Sequence, residues 1–340
     1  MRSLILDQPG ALRLADTPPP GDPGPGEARV RVSRAGVCGT DIHAWHGRQP
    51  FFTYPRILGH ELAVEVLDVG PDVSNVRAGD RCAVEPYLNC GTCRPCRAGR
   101  GNCCERMQVL GVHLDGGLRE RITVPAHKLH PSSRLDAESL ALVEMLSVGA
   151  HAVARARPSE RDTVLVVGAG PIGLGVAACA SSAGRVVAIA DVSPARLAFC
   201  RERAGFPSVL DLSGGAEDAV RAAHGGELPT VVFDATGSAA SMRAAFRLVA
   251  NGGTLVFVGL VVGELSFDDP DFHRRETTLL ASRNALPEDF RRVMSALESG
   301  RIDVRRWITH RAGIEDGVDA FAAWTQPSSG VVKAMIEIGG

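Results

Sequence analysis

The chain has 340 residues, 45% of them hydrophobic, with 37 basic and 39 acidic side chains and a formal net charge of −2. That length is long for one core and suits two domains, and the apolar content is ample to fill both. The near-balance of charge gives no general field for nucleic acid or an anionic membrane, and no apolar run approaches the roughly 20 residues needed to span a bilayer. The opening MRSLILDQPG has too short an apolar run for a secretory signal, so a cytoplasmic protein is expected.

Residues 1–150 read as a β-rich domain. Short alternating runs at 28–33 and 62–69 are separated by Pro- and Gly-rich turns, and the loop at 18–26 is too short to link domains. Two groups of metal-ligand residues fall in this half. In the first, Cys38-Gly39-Thr40-Asp41-Ile42-His43 forms a glycine-punctuated loop, Gly59-His60-Glu61 follows, and Glu144 comes later. Cys, His and carboxylate are the donor mixture of a catalytic zinc with one open position, although spacing alone does not make them converge. In the second, Cys90, Cys93, Cys96 and Cys104 run C-x2-C-x2-C-x7-C. Four thiolates so spaced wrap one tetrahedral structural zinc in a lobe at about 88–106. Cys103 is an alternative to Cys104 as the fourth ligand, and Cys104 is favoured. Cys82, Cys179 and Cys200 lie in apolar or helical contexts and read as core.

From 151 to 285 the rhythm changes to alternating strand and helix, with apolar strands expected at 164–167, 186–190, 231–234, 254–258 and 279–282. This is the pattern of a doubly wound parallel sheet. The first strand leads into Gly168-Ala169-Gly170-Pro171-Ile172-Gly173, which fits G-x-G-x-x-G. Its glycines permit a tight turn, a close approach of backbone to a pyrophosphate, and close helix–strand packing. Asp191 ends the next strand, where a carboxylate accepts the ribose hydroxyls and repels a 2′-phosphate; NAD is therefore expected. Residues 286–340 give a helix at 288–299, a strand at 307–310, a helix at 315–324 and an alternating strand at 332–338. This tail is expected to return and complete the first domain.

The cysteine lobe, the Gly59-His60-Glu61 triplet, the GAGPIG turn and the order of domains together resemble the zinc-dependent medium-chain alcohol/sorbitol/threonine dehydrogenases over essentially the whole chain. The resemblance implies a GroES-like β-rich catalytic domain plus a Rossmann NAD-binding domain. It implies a catalytic zinc on Cys38, His60 and Glu144, with Glu61 binding the metal or exchanging with its water, and hence two zinc ions per chain. The usual Glu-Pro pair is here Glu144-Met145. Thr40 and His43 fall at the family's proton relay and Val148 where the nicotinamide packs. Arg196, Thr236, Val258, Gly259, Ser282 and Asn284 are the further cofactor contacts expected.

The segments DIHAWHGRQPFFTYPRILGHE, GVHLDGG and ETTLLASRNALPEDF, and the pair Cys103-Cys104, resemble bacterial sugar-acid dehydrogenases within the family. The implied reaction is oxidation of a secondary hydroxyl of a sugar acid to a ketone, with a polyol or L-threonine as the alternative substrate. Trp45, Phe51 and His113 are candidate pocket residues. Arg119, Arg48 and Arg283 are candidates for a substrate carboxylate. Relatives pair through an edge of the nucleotide-domain sheet, here expected at 254–265, so a tetramer or dimer follows. A reading from a different class is a binding protein that uses the cysteine lobe without catalysis. Its basic cluster is only Arg94, Arg97, Arg100 and Arg106, which read as a solvated face on a slightly negative chain.

Overall fold

The computed structural model describes residues 1–339 and divides into two compact units. The first comprises Met1–Glu144, Leu286–Glu298 and Asp303–Gly340; the second comprises Met145–Ala285 and Ser299–Ile302. The division falls inside the helix Val143–Ala156, after Glu144 and not after residue 150. The helix runs straight through the boundary, so the chain shows no turn or loop there.

The first unit is built on a seven-stranded sheet. Its main path runs Leu129–Pro131, Arg81–Val84, Glu61–Val69, Glu27–Val37, Lys333–Glu337, Ile308–Gly313, and Arg121–Pro125 pairs off it with Glu27–Val37. The strand Lys333–Glu337 comes from the far end of the chain yet lies inside this sheet. It pairs antiparallel with Glu27–Val37 on one side and parallel with Ile308–Gly313 on the other. Alternation drives the pairing: Val30, Val32, Val64, Val66, Ala334 and Ile336 are all buried in one core. A three-stranded sheet of Ala11–Asp16, Arg2–Gln8 and Arg56–Ile57 flanks it, with Leu4 and Leu6 in the same core.

The second unit holds a six-stranded, all-parallel sheet. Its order is Val209–Asp211, Val186–Asp191, Thr163–Val167, Val231–Asp234, Thr254–Phe257, Thr278–Ala281. This is the doubly wound order 3-2-1-4-5-6, whose direction reverses between Thr163–Val167 and Val231–Asp234. The short strand Val209–Asp211 is absent from the expectation because it carries too few apolar residues to announce itself. The placing of the sheet edge at 254–265 is corrected: Thr254–Phe257 is interior, and the outer strand on that side is Thr278–Ala281, with Leu279 exposed. The small residues of the helix Pro171–Ser182 serve helix contact. A Cβ on Gly149 would stand 2.5 Å from the carbonyl carbon of Gly175, and Cys179 donates from its thiol to the Leu146 carbonyl. No helix among the described residues is long and apolar enough to cross a membrane.

Candidate active site

In the first unit, sheet register gathers the donors. Gly36 pairs with Glu61 on one neighbour and with Met335 on the other, and Val37 pairs with Ala334. Cys38, His60, Glu61 and Lys333 therefore arrive at one end of three adjacent strands. One donor atom each from Cys38, His60 and Glu61 lie within 4.8 Å of one another. Gly36 makes room for the carboxylate, since a Cβ there would overlap Glu61 Oε2. Glu144 is outside that mutual set but lies close enough for its charge to act on His60. The hydroxyl of Tyr87 donates to its Oε1. Of the two acids expected at the metal, Glu61 is thus the one grouped with Cys38 and His60.

The strand start that carries His60 is braced by the loop at 109–118. Backbone bonds run from Gly116 to Ile57, from Gly117 to Gly59 and from Leu118 to Leu58, at 2.7, 2.9 and 2.9 Å. A Cβ on Gly111 would stand 2.8 Å from the Gly59 nitrogen, so the two backbones touch. Gly59 itself has φ +95, a conformation glycine adopts without strain.

The cluster is buried and charged. His60 is 5% exposed and Glu61 is fully buried. Burial disfavours imidazolium, but the charges of Cys38 and Asp41 outweigh it and hold His60 well above the usual histidine range. Asp41 Oδ1 lies 3.8 Å from His60 Nδ1, and neither atom has a hydrogen-bond partner among the described residues. Burial pushes the Asp41 and Glu144 carboxyls up, with His60 opposing in each case. The Lys333 ammonium, 1% exposed, pairs with Glu61 and donates to the Val37 carbonyl at 3.0 Å. Burial works against its charge, and Glu61 and Cys38 more than restore it. Crowded anionic donors and orphaned buried polar atoms fit a divalent cation that would satisfy them. Asp41, Tyr87 and Lys333 escaped sequence reasoning. Asp41 alone left a trace, as an acid three residues after Cys38 that accepts its backbone N–H at 2.9 Å.

Thr40 and His43 lie three apart on the short helix Gly39–Trp45, hence on one face. Partial burial, with Arg48 and His46 nearby, lowers the His43 pKa and keeps it neutral at pH 7. Trp45 is half-buried against Phe321, ring centroids 5.5 Å apart, so it is first a core residue. Phe51 is 58% exposed and stacks on His113 at 6.4 Å. Arg119 donates to the Gly116 carbonyl at 3.0 Å and so holds its own turn.

In the lobe, the sulfurs of Cys90, Cys93, Cys96 and Cys104 lie within 4.8 Å of one another, and Cys103 is outside the set. Backbone bonding at Thr92 and the Arg106 guanidinium pull the Cys90 thiol down to about 5, whereas burial and the Cys93 sulfur push Cys96 up to about 11. Four convergent sulfurs suit a closed zinc site. Arg106 donates to Cys90 Sγ at 3.4 Å and to Thr92 Oγ1 at 2.7 Å, and Arg97 donates to the Thr92 carbonyl. Both arginines are exposed, as expected of a solvated face, and these bonds also tie them to the lobe.

In the second unit, the expected cofactor residues follow the carboxyl ends of the parallel strands, beside the point where strand order reverses. That crevice is where dinucleotides bind in such sheets. Gly168 has φ +100, and a Cβ on it would meet Thr236 Cγ2 at 2.9 Å. A Cβ on Gly173 would overlap the Gly168 carbonyl, while one on Gly170, which caps the helix Pro171–Ser182, would meet nothing within 4 Å. The turn is closed where it must pack and open where a phosphate would approach. Asp191 also builds this turn: its Oδ2 accepts from Ala169 N at 2.7 Å and its Oδ1 from Ser193 N at 2.9 Å. Arg196 follows on the helix Pro194–Glu202, its basicity lowered by burial against the pull of Asp191. Val258 and Gly259 both donate to the Asp234 carbonyl, at 2.9 and 3.0 Å. Ser282 Oγ and Asn284 Nδ2 are buried with no hydrogen-bond partner among the described residues. Val148 sits half-buried on the helix Val143–Ala156, and Arg283 is exposed beyond the outer strand.

Two family models match the chain: an alcohol dehydrogenase GroES-like domain over residues 24–134 and a zinc-binding dehydrogenase domain over 171–299. L-galactonate-5-dehydrogenase of Escherichia coli K12 is 46% identical over 92% of this chain and 91% of its own. The chain belongs to the zinc-type alcohol dehydrogenase family. It is an oxidoreductase of the NAD-dependent alcohol dehydrogenase type. L-arabinitol 4-dehydrogenase of Hypocrea jecorina is 36% identical, over 92% of this chain and 85% of its own. Among solved structures, an alcohol dehydrogenase from E. coli CFT073 complexed with NADH superposes with a TM-score of 0.92 at 30% identity, covering 99% of each chain.

Proposed function

We propose that this dehydrogenase oxidises a secondary hydroxyl of a sugar acid to a ketone with NAD as acceptor, in the manner of an L-galactonate 5-dehydrogenase. The observation that carries the reading is the buried convergence of Cys38, His60 and Glu61 in a chain 46% identical to that enzyme. Those three residues would hold the catalytic zinc, with Glu144 as a second carboxylate beside them, and the four lobe cysteines would hold a structural one. A zinc ion held there would supply Lewis acidity toward a substrate hydroxyl. The protein's own share is positional. Asp41 faces the outer nitrogen of His60, which orients the ring. Lys333 compensates Glu61 and holds it in reach of Cys38 and His60. Thr40 and His43, on one helix face, carry a proton outward to solvent, and the neutral state of His43 suits it to accept one. Gly168–Gly173 cradle the pyrophosphate and Asp191 receives the ribose hydroxyls, which favours NAD over NADP.

The deciding experiment is a panel of sugar acids and polyols with NAD, following NADH formation. L-galactonate or a close sugar acid should give the highest kcat/KM. Turnover confined to pentitols would instead establish the polyol reading, which the L-arabinitol 4-dehydrogenase relative favours. The same family membership argues against a non-catalytic lobe-binding protein. We further place the homo-oligomer contact, as tetramer or dimer, at the outer strand Thr278–Ala281 and its exposed Leu279.

A further inference from the structure

One buried ammonium touches two residues of the same extended stretch. Lys128 Nζ pairs with Glu85 and donates to Asn89 Oδ1 at 3.1 Å. Lys128 is 4% and Glu85 2% exposed. The second oxygen of Glu85 faces His130 Nε2 at 3.3 Å, and the His130 ring stacks on Phe290 at 4.9 Å. A buried ion pair of this kind adds little net stability over an apolar pair of the same volume. What it does supply is orientation. With its carbonyl oxygen held by Lys128, the Asn89 side chain turns its amide nitrogen to Cys96 Sγ, 3.7 Å away.

Glu85, Tyr87 and Asn89 are alternate residues, so an extended backbone sends them to one side. Tyr87 confirms the geometry: its ring meets Phe290, the same ring that His130 stacks on, at a centroid distance of 6.3 Å. Its hydroxyl donates to Glu144. Residues 85–89 thus bear on a lobe cysteine at one end and on the acid beside Cys38, His60 and Glu61 in the middle, and Lys128 grips the stretch on both sides of Tyr87.

We propose that Lys128 is a positioning residue that sets the four-cysteine lobe and Glu144 in one register, by aiming Asn89 at Cys96 and Tyr87 at Glu144. The proposal rests on the reading of Cys90, Cys93, Cys96 and Cys104 as a zinc site. An N–H donor to a ligand sulfur spreads the negative charge of a tetrathiolate site and fixes its geometry, and the Lys128 ammonium strengthens that donor.

The test uses the full-length protein. Zinc content is measured first. Release of lobe zinc to a chromophoric chelator is then followed in a Cys38→Ser background, where the catalytic ligand set is broken. Asn89→Ala and Lys128→Met should each speed release by about tenfold or more. The double variant should release no faster than Asn89→Ala alone, because Lys128 acts on the lobe through Asn89. With Cys38 intact, Lys128→Met and Tyr87→Phe should each lower kcat several-fold and leave the KM for NAD unchanged. Wild-type release from both single variants overturns the proposal, as does full additivity in the double variant. If Lys128→Met does not fold, Asn89→Ala decides alone: it leaves the Lys128–Glu85 pair in place, and wild-type release from it overturns the clamp. A lobe that holds no zinc in the wild type overturns the zinc reading, and the proposal falls with it.

Discussion

Gly36 has no side chain because Glu61 occupies the space one would need. Gly36→Ala is therefore expected to displace the carboxylate, cost about 1–3 kcal/mol of stability by overpacking, and release the catalytic zinc while the lobe keeps its own. Zinc content that stays at the wild-type level would show that Glu61 is not a ligand. Cys38→Ser should abolish turnover and leave NADH binding intact, since the glycine turn and Asp191 belong to the other unit; NADH fluorescence titration beside a turnover assay separates the two effects. In the lobe, Arg106 helps hold the Cys90 thiol down at about 5. Arg106→Ala raises that pKa, so protons compete with zinc at higher pH. Zinc retained after gel filtration at stepped pH should then fall at a higher pH than in the wild type, and an unmoved midpoint would refute the role of Arg106. The donors Cys38 and His60 were legible as residue types, and so were the four lobe cysteines. Asp41, Tyr87 and Lys333 were not. An acid, a tyrosine and a lysine are ordinary surface residues in a sequence, and only their burial beside the donors gives them a role.

At the scale of elements, the strand–turn–helix at Thr163–Ser182 was readable because each part is local. An apolar run, three spaced glycines and a helix of small residues follow one another without interruption. Gly173→Ala should weaken NADH affinity by about tenfold or more, because the new methyl overlaps the Gly168 carbonyl; unchanged affinity would place the pyrophosphate elsewhere. The strand Lys333–Glu337 was read from its alternation, but its interior place between Glu27–Val37 and Ile308–Gly313 was not. Ile336 is fully buried there, so Ile336→Ala should cost about 2–5 kcal/mol, seen as a lower denaturant midpoint. A loss under about 1 kcal/mol would mean that the strand is peripheral. The sheet edge was misplaced for the same reason. The run at 254–258 is apolar because it is interior, whereas the outer strand Thr278–Ala281 is the more exposed one.

For the whole molecule, metal analysis should give about two zinc ions per chain. One zinc, with activity that survives chelation, would remove the catalytic metal from the mechanism. Residue types and local spacing made the parallel sheet, the glycine turn and the four-cysteine lobe legible, because those patterns are carried by residues near one another in the chain. Tertiary structure decided what depends on register between distant strands. Cys38, Glu61 and Lys333 meet because Gly36 lies opposite Glu61 on one side and Met335 on the other. A period-two alternation says which face a residue takes, but not which strand will lie beside it.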